Sequence, residues 1–226
     1  MSKEDTIERI SYLRQFVTGK RYEILRDILN KRTRHLTVVL EDVNRPHNAS
    51  AVLRSCDCFG IQDVHVIENK NKLDISERVT RGAEARLTIK KYKERDSKNA
   101  ERCITSLKHD GYKIIALTPH DPGCELGELR IDNKLALFFG TEKVGLSDTV
   151  LKQADERVVI PMRGFTESFN ISVSVALVLF DLRIKLEASS LHWKLSESEK
   201  QLLMLEWLRN SVRESEMIEG KYFGKG

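Results

Sequence analysis

Several things are scarce in this chain, and each shortage excludes a class of protein. No apolar run approaches the roughly 20 residues that a membrane span needs. The longest, near residues 173–180, falls far short, so no membrane partner is expected. Cysteine is sparse: Cys56, Cys58, Cys103 and Cys124 have neither disulfide-framework nor zinc-ribbon spacing. Without an apolar leader, the expected setting is a reducing cytoplasm. Cys56 and Cys58 fall in an expected helix, where residues two apart face different sides, and no other ligand cluster stands out, so no metal is expected. A phosphate loop is missing too. Residues 140–147 (GTEKVGLS) resemble one superficially, but Leu146 stands where a lysine must follow the last glycine, which excludes a P-loop ATPase.

What remains is 226 residues, enough for one full core with short appendages, and a net charge of +4 that is unevenly spread. Residues 1–34 hold nine Lys or Arg against five Asp or Glu, and residues 78–95 hold seven against two. Two basic surfaces raise the prospect of a polyanionic partner.

Apolar residues at Ile7, Ile10, Leu13 and Phe16 or Val17, then at Tyr22, Ile24, Leu25, Ile28 and Leu29, predict two amphipathic basic helices. They either pack as a pair or grip an anion; the pattern leaves both open. Residues 36–40 (LTVVL) predict the first strand, followed by a polar stretch and a helix from Ala49, with Asn48 as its cap and Val52, Cys56 and Phe59 as its buried stripe. Arg54 lies off that stripe and leans back toward the mouth where Asn48 sits. The two either form an oxyanion-binding helix end or are a capping Asn and a surface Arg. Further strands are expected at residues 63–68, 113–118, 135–139 and 157–161, with a helix at 97–108. This alternation means βαβ units and a mainly parallel sheet. His120 falls in a loop, where a lone histidine is more often neither base nor ligand. Asn170 is placed to cap a helix that is apolar on nearly every side from 171 to 182, and so is expected to be buried. Residues 196–212 open with a capping-box pattern and carry Leu202, Leu203, Leu205, Trp207 and Leu208; the tail after Ile218 is expected to be disordered.

Three blocks in order, LEDVNRPHNASAVLRSCDCFGI, LALFFGTEKVGLS and ESFNISVSVALVLFDLRIKLE, resemble the SpoU, or TrmH-type, branch of the SPOUT methyltransferases. That branch transfers methyl from S-adenosylmethionine to a ribose 2′-hydroxyl in RNA. The PHNASAVLR wording, the short basic N-terminal helices and the EWLRN-like final helix look like the subgroup that acts on a D-loop guanosine of tRNA. The resemblance implies an α/β SPOUT fold: a mainly parallel sheet with helices on both faces, a deep trefoil knot in the C-terminal half, and terminal helices. It implies basic N-terminal helices at 1–34, a catalytic domain at 35–187 and a helical extension and tail at 188–226. It also implies a homodimer, tRNA as partner rather than DNA, and S-adenosylmethionine as cofactor. Ribosomal RNA as substrate, and a catalytically silent RNA-binding dimer, are the alternatives.

Carried over by position, Arg54, Asn48, Glu142, Ser168 and Asn170 are the catalytic candidates, with Arg54 central and Asn48 and Ser168 orienting it. The cofactor loops fall at Leu117 and Thr118, Gly140 and Thr141, Ile160 to Met162, and Phe169. At Gly140 a missing Cβ would let backbone approach a ligand. Two departures stand out. Phe169 occupies a position that is commonly Leu, and Arg183 and Lys185 are out of the usual register for RNA contacts.

Overall fold

The computed structural model describes residues 2–96, 98–120, 123–141 and 143–224. In chain order the elements are α1 (Lys3–Leu13), α2 (Gly19–Leu29), β1 (Leu36–Glu41), α3 (Pro46–Cys58), β2 (Asp63–Ile67), α4 (Glu77–Thr80), β3 (Thr88–Tyr92), α5 (Asn99–His109), β4 (Tyr112–Leu117), β5 (Cys124–Glu125), β6 (Lys134–Phe139), α6 (Asp148–Gln153), β7 (Glu156–Val159), α7 (Ile171–Ala188), α8 (Glu197–Ser211) and α9 (Ser215–Phe223), with 3-10 turns at Arg14–Phe16 and Leu126–Glu128. They group into two units, residues 34–193 and residues 1–33 with 194–226.

In the larger unit the described strands form one sheet in the order β3-β2-β1-β6-β4-β7-β5, parallel at every pairing. The runs expected to be buried strands, β1, β6 and β4, are adjacent at its centre. Their side chains sort by the period of two that a strand imposes. Leu36, Val38 and Leu40 of β1, with Leu135, Leu137 and Phe139 of β6, enter the core against α3 and α7. Val39, Ala136 and Phe138 face the core against α5 and α6. Burial on both sides explains why these strands read as continuous apolar runs. At roughly 1.5–3 kcal/mol per fully buried large side chain, these two faces dominate the stability of the unit.

The smaller unit has its own core, in which Ile10 and Leu13 of α1, Leu25 and Leu29 of α2, and Leu203, Met204, Trp207 and Leu208 of α8 pack together. The capping box at its third helix is present: Ser196 Oγ accepts from Glu199 N at 3.3 Å, and Ser196 N donates to Glu199 Oε2 at 2.8 Å. Leu202 is not part of the apolar face; it is exposed, and Met204 takes the buried register. The segment expected to be a disordered tail is α9, held by side chains that outweigh its glycine. Glu219 accepts from Arg9 and Arg209, and Tyr12 stacks on Tyr222 at 3.8 Å.

Helix α7 also departs from expectation. Val175, Val178, Leu179, Leu182 and Leu186 are buried against the sheet, but Val173, Leu177, Phe180 and Ile184 remain 38–56% exposed. Their spacing puts them on one stripe. An all-apolar helix therefore signals one face for the core and a second face that its own chain leaves uncovered. Arg183 and Lys185 are tied internally. Arg183 bonds Glu187 at 2.7 Å and lies 4.3 Å over the Trp193 ring, and Lys185 donates to the carbonyls of Leu126, Gly127 and Leu129.

Candidate active site

The carboxyl ends of β4, β6 and β7 empty into three loops, and a cleft of about 330 Å³ opens between them. In parallel sheets ligands bind at this edge, and the volume falls in the range of about 300–1,000 Å³ usual for small-molecule sites. Leu117, Thr118, Gly140, Thr141, Ile160, Met162, Ser168 and Phe169 all line it. His120 lies on the rim, its N–H directed to Thr118 Oγ1 at 3.2 Å.

The loop after β6 is closed by its own backbone. Thr141 N donates to Gly145 O at 3.2 Å, Gly145 N donates back to Thr141 O at 2.9 Å, and Val144 N donates to Thr141 Oγ1 at 3.1 Å. Gly145 adopts φ +74°, a conformation that favours glycine. A Cβ on Gly140 would lie 2.1 Å from the backbone carbon and oxygen of Gly145. The demand for glycine at 140 thus comes first from the loop folding back on itself, rather than from a ligand as the sequence suggested. Glu142 lies outside the described residues.

A carboxylate that the sequence reading passed over anchors this loop. Glu41 ends β1 with 3% of its surface exposed, and both its oxygens accept from Ser147, from N at 2.8 Å and from Oγ at 2.6 Å. Burial raises the Glu41 carboxyl pKa, and the two Ser147 donors partly oppose the rise. Ser147 in turn caps α6 through the N–H of Val150. Asp42, at φ +53°, accepts from the amides of Asn69, Lys70 and Asn71 and fixes the loop after β2. The signal was their place at the carboxyl end of a buried strand.

Asn48 is not the cap of α3. The helix begins one turn earlier because Pro46 suits the first helical position, and Arg45 precedes it without a side-chain cap. This frees Asn48, which is buried, for a tertiary contact: Asn170 Nδ2 donates to Asn48 Oδ1 at 3.3 Å. Asn170 does cap α7, its Oδ1 accepting from Ser172 N at 2.9 Å. The first and third blocks therefore meet, with Ser168 two residues away on the cleft wall.

Arg54 does not join them. It lines a separate, open depression of about 880 Å³ with His47, Ala51, Ser55, Cys58, Phe59, Ser76, Arg78, Val79 and Arg81, and this lining shares no residue with the cleft. Among the described residues Arg54 has no hydrogen-bond or ion-pair partner, so neither Asn48 nor Ser168 orients it within one chain. The depression borders the uncovered stripe of α7, since Phe59 packs edge-on to Phe180 with centroids 6.4 Å apart. The described residues contain no group of His, Cys, Asp or Glu that could hold a metal, and no helix among them is long and apolar enough to cross a membrane.

These features can be set beside known proteins. The SpoU rRNA Methylase family matches residues 35–180. A tRNA (guanosine(18)-2′-O)-methyltransferase of Borreliella burgdorferi is 44% identical over 216 residues, covering 96% of this chain and 97% of that one. The enzyme of the same name from Escherichia coli K12 is 27% identical over 190 residues, 82% of this chain and 81% of its own. Among solved structures, the Aquifex aeolicus TrmH/SpoU tRNA modifying enzyme aligns with a TM-score of 0.77 at 28% identity, covering 86% of this chain and 98% of that one. With its parallel sheet, its cleft at the strand ends and a family match spanning most of its length, the chain belongs to the SpoU methylase family.

Proposed function

We propose that this protein is an S-adenosylmethionine-dependent tRNA methyltransferase that acts on the ribose 2′-hydroxyl of guanosine 18, works as a homodimer and resides in the cytoplasm. The observation that carries the proposal is the cleft. All six residues that the family resemblance assigns to cofactor binding, Leu117, Thr118, Gly140, Ile160, Met162 and Phe169, line one cavity of suitable size. The substrate follows from the Borreliella burgdorferi relative, which aligns over nearly the whole chain.

The cleft fits the cofactor's mixed character, with apolar Leu117, Ile160, Met162 and Phe169 for an aromatic ring and backbone polar groups of turned loops for its edges. S-adenosylmethionine, when bound, supplies an electrophilic methyl group on a sulfonium. The rest is alignment and charge control by this chain. The loops at 117–118, 140–146 and 160–170 belong, in this reading, to a deep trefoil knot that fixes the cleft. The Asn48–Asn170 contact sets the start of α7, Ser168 orients groups at the cleft mouth, and Glu142 shapes its loop.

Arg54 is the central catalytic residue of the proposal. A guanidinium stays protonated in proteins, so Arg54 acts through a bidentate grip on an RNA phosphate and by stabilising the developing alkoxide, while the phosphate accepts the proton. Because Arg54 lies outside its own chain's cleft, the proposal places it against the cleft of the partner subunit. The stripe of Val173, Leu177, Phe180 and Ile184 supports this arrangement, since a twofold copy is the simplest cover for such a face.

Incubation with labelled S-adenosylmethionine and either bulk tRNA or ribosomal RNA, followed by mapping, tests the assignment. Label is expected at tRNA guanosine 18. Label confined to ribosomal RNA, or none in either pool with RNA binding retained, overturns it.

A further inference from the structure

The basic segment before and along β3 divides in two. From Arg86 through β3 the cations are engaged within the fold: Arg86 pairs with Asp57 at 3.3 Å, Lys90 bonds Ser106 at 2.9 Å, and Lys91 pairs with Glu68 at 3.4 Å, whereas Lys93 and Arg95 beyond the strand are exposed and do not line the depression. In its earlier part Arg78 and Arg81 have no side-chain partner among the described residues, and both line the depression that holds Arg54. Elsewhere in this unit Arg34, Arg102 and Arg130 each bond an aspartate, at 2.9, 2.5 and 2.7 Å, while Arg45 and Arg163, among the described residues, stand alone on the chain rather than gathered at one concavity. Three arginines lining one concavity, none paired with a carboxylate among the described residues, are a concentration of positive charge.

The segment carrying them is held in place. Ser76 N donates to the buried Ser50 Oγ of α3 at 2.8 Å, and Thr80 is 1% exposed. Arg81 follows α4 at φ +52°, ψ +38°, the left-handed position where helices commonly end on glycine. An arginine there carries conformational strain that a glycine would not. Arg81 lines the same depression as Arg54 and Arg78.

We propose that Arg78 and Arg81, with Arg54, form a subsite for backbone phosphates of the RNA next to the target nucleoside. This rests on the RNA-methyltransferase reading above and narrows its substrate contact to one half of the basic segment. Arg54 takes the phosphate beside the reacting ribose, and Arg78 and Arg81 take neighbouring phosphates, which positions the strand without reading its bases.

The test measures binding of an unmodified tRNA transcript across a salt series for the full chain, for Arg78→Ala with Arg81→Gly, and for Lys90→Ala with Lys91→Ala. The glycine removes the guanidinium while suiting the left-handed backbone, and thermal unfolding checks each fold. The arginine pair is expected to weaken tRNA binding roughly tenfold or more at low salt and to lower the slope of log Kd against log salt by about 1 per guanidinium. S-adenosylmethionine affinity and the lysine pair's tRNA binding should stay at the parent level. Arg81→Lys, keeping charge without the fork, should restore the slope more fully than the affinity. An arginine pair with the parent's slope and affinity overturns the subsite even if the parent methylates tRNA. A lowered slope in a chain that methylates no RNA keeps the subsite and removes the enzymatic reading. No tRNA binding by the parent chain overturns both. Should the pair fail to fold, Arg81→Gly alone is read by the same slope.

Discussion

The cleft and the arginine depression lie in the same unit and are built on opposite plans. The cleft is made by main chain: three loops at strand ends, one turned back so tightly that Gly140 admits no side chain, with Glu41 as a buried anchor. The depression is made by side chains, three guanidiniums around α3 and α4 that the fold leaves without carboxylates. The contrast teaches that a small cofactor is held by shape, which needs a fixed backbone, whereas a polyanion is held by charge, which needs only that cations remain unspent.

The sharpest way to break the contrast is at Arg54. Arg54→Ala should lower methyl transfer by about 10²–10³-fold with S-adenosylmethionine affinity intact, and Arg54→Lys should fall nearly as far, since it keeps the charge and loses the fork. Near-full turnover by the lysine form would remove the guanidinium from the mechanism. Mixing Arg54→Ala chains with Gly140→Ala chains then asks whether cleft and arginine come from different copies. Heterodimers would hold one intact composite site of two, so roughly a quarter of parent activity should return on statistical mixing. No recovery would place both in one chain.

Gly140→Ala on its own probes the shape-built side. A Cβ 2.1 Å from the Gly145 backbone must displace the loop, at about 1–3 kcal/mol, and S-adenosylmethionine affinity measured by calorimetry should fall about 10–100-fold while tRNA binding persists.

Glu41→Gln sharpens it further, with a smaller effect. The amide can accept only one of the two Ser147 donors and turns an N–H₂ toward the other, so cofactor affinity should drop roughly fivefold to tenfold. Its pH dependence has a definite sign. Burial holds the Glu41 carboxyl pKa above the ordinary value of 4.5, so just above 4.5 the folded chain retains a proton that the unfolded chain has released. The parent therefore loses stability as pH rises through that window, and the glutamine form does not. Thermal unfolding of both across pH 4–7 should show the parent's relative advantage shrinking as pH rises.

The two plans were not equally legible in the sequence. The central strands announced themselves because a strand buried on both faces reads as an unbroken apolar run. Polar turns after those strands were legible from the pattern, but the individual cleft-lining positions came only from the family resemblance. The arrangement around α3 was not. Asn48 looked like a cap because an asparagine just before an apolar helical stripe is a common helix start, whereas Pro46, at the first helical position, begins the helix earlier. Strand β3 (TIKKY) escaped notice because its exposed face is charged, and Arg78 and Arg81 were indistinguishable from Arg86 and Lys90 until Asp57 could be assigned to Arg86 and the Ser106 hydroxyl to Lys90. The uncovered stripe of α7 was hidden by the same uniform apolarity that made the helix easy to find.

The core shared by α1, α2 and α8 also governs how the chain is made. During synthesis residues 34–193 emerge with all the strands of their sheet and can close while translation continues. Leu13, Leu25 and Leu29 left the ribosome before that, yet their packing partners Leu203, Trp207 and Leu208 are made only after residues 34–193. The first helices must wait, greasy side outward, until α8 is made, and nascent chains halted near residue 195 should therefore expose that surface to chaperones.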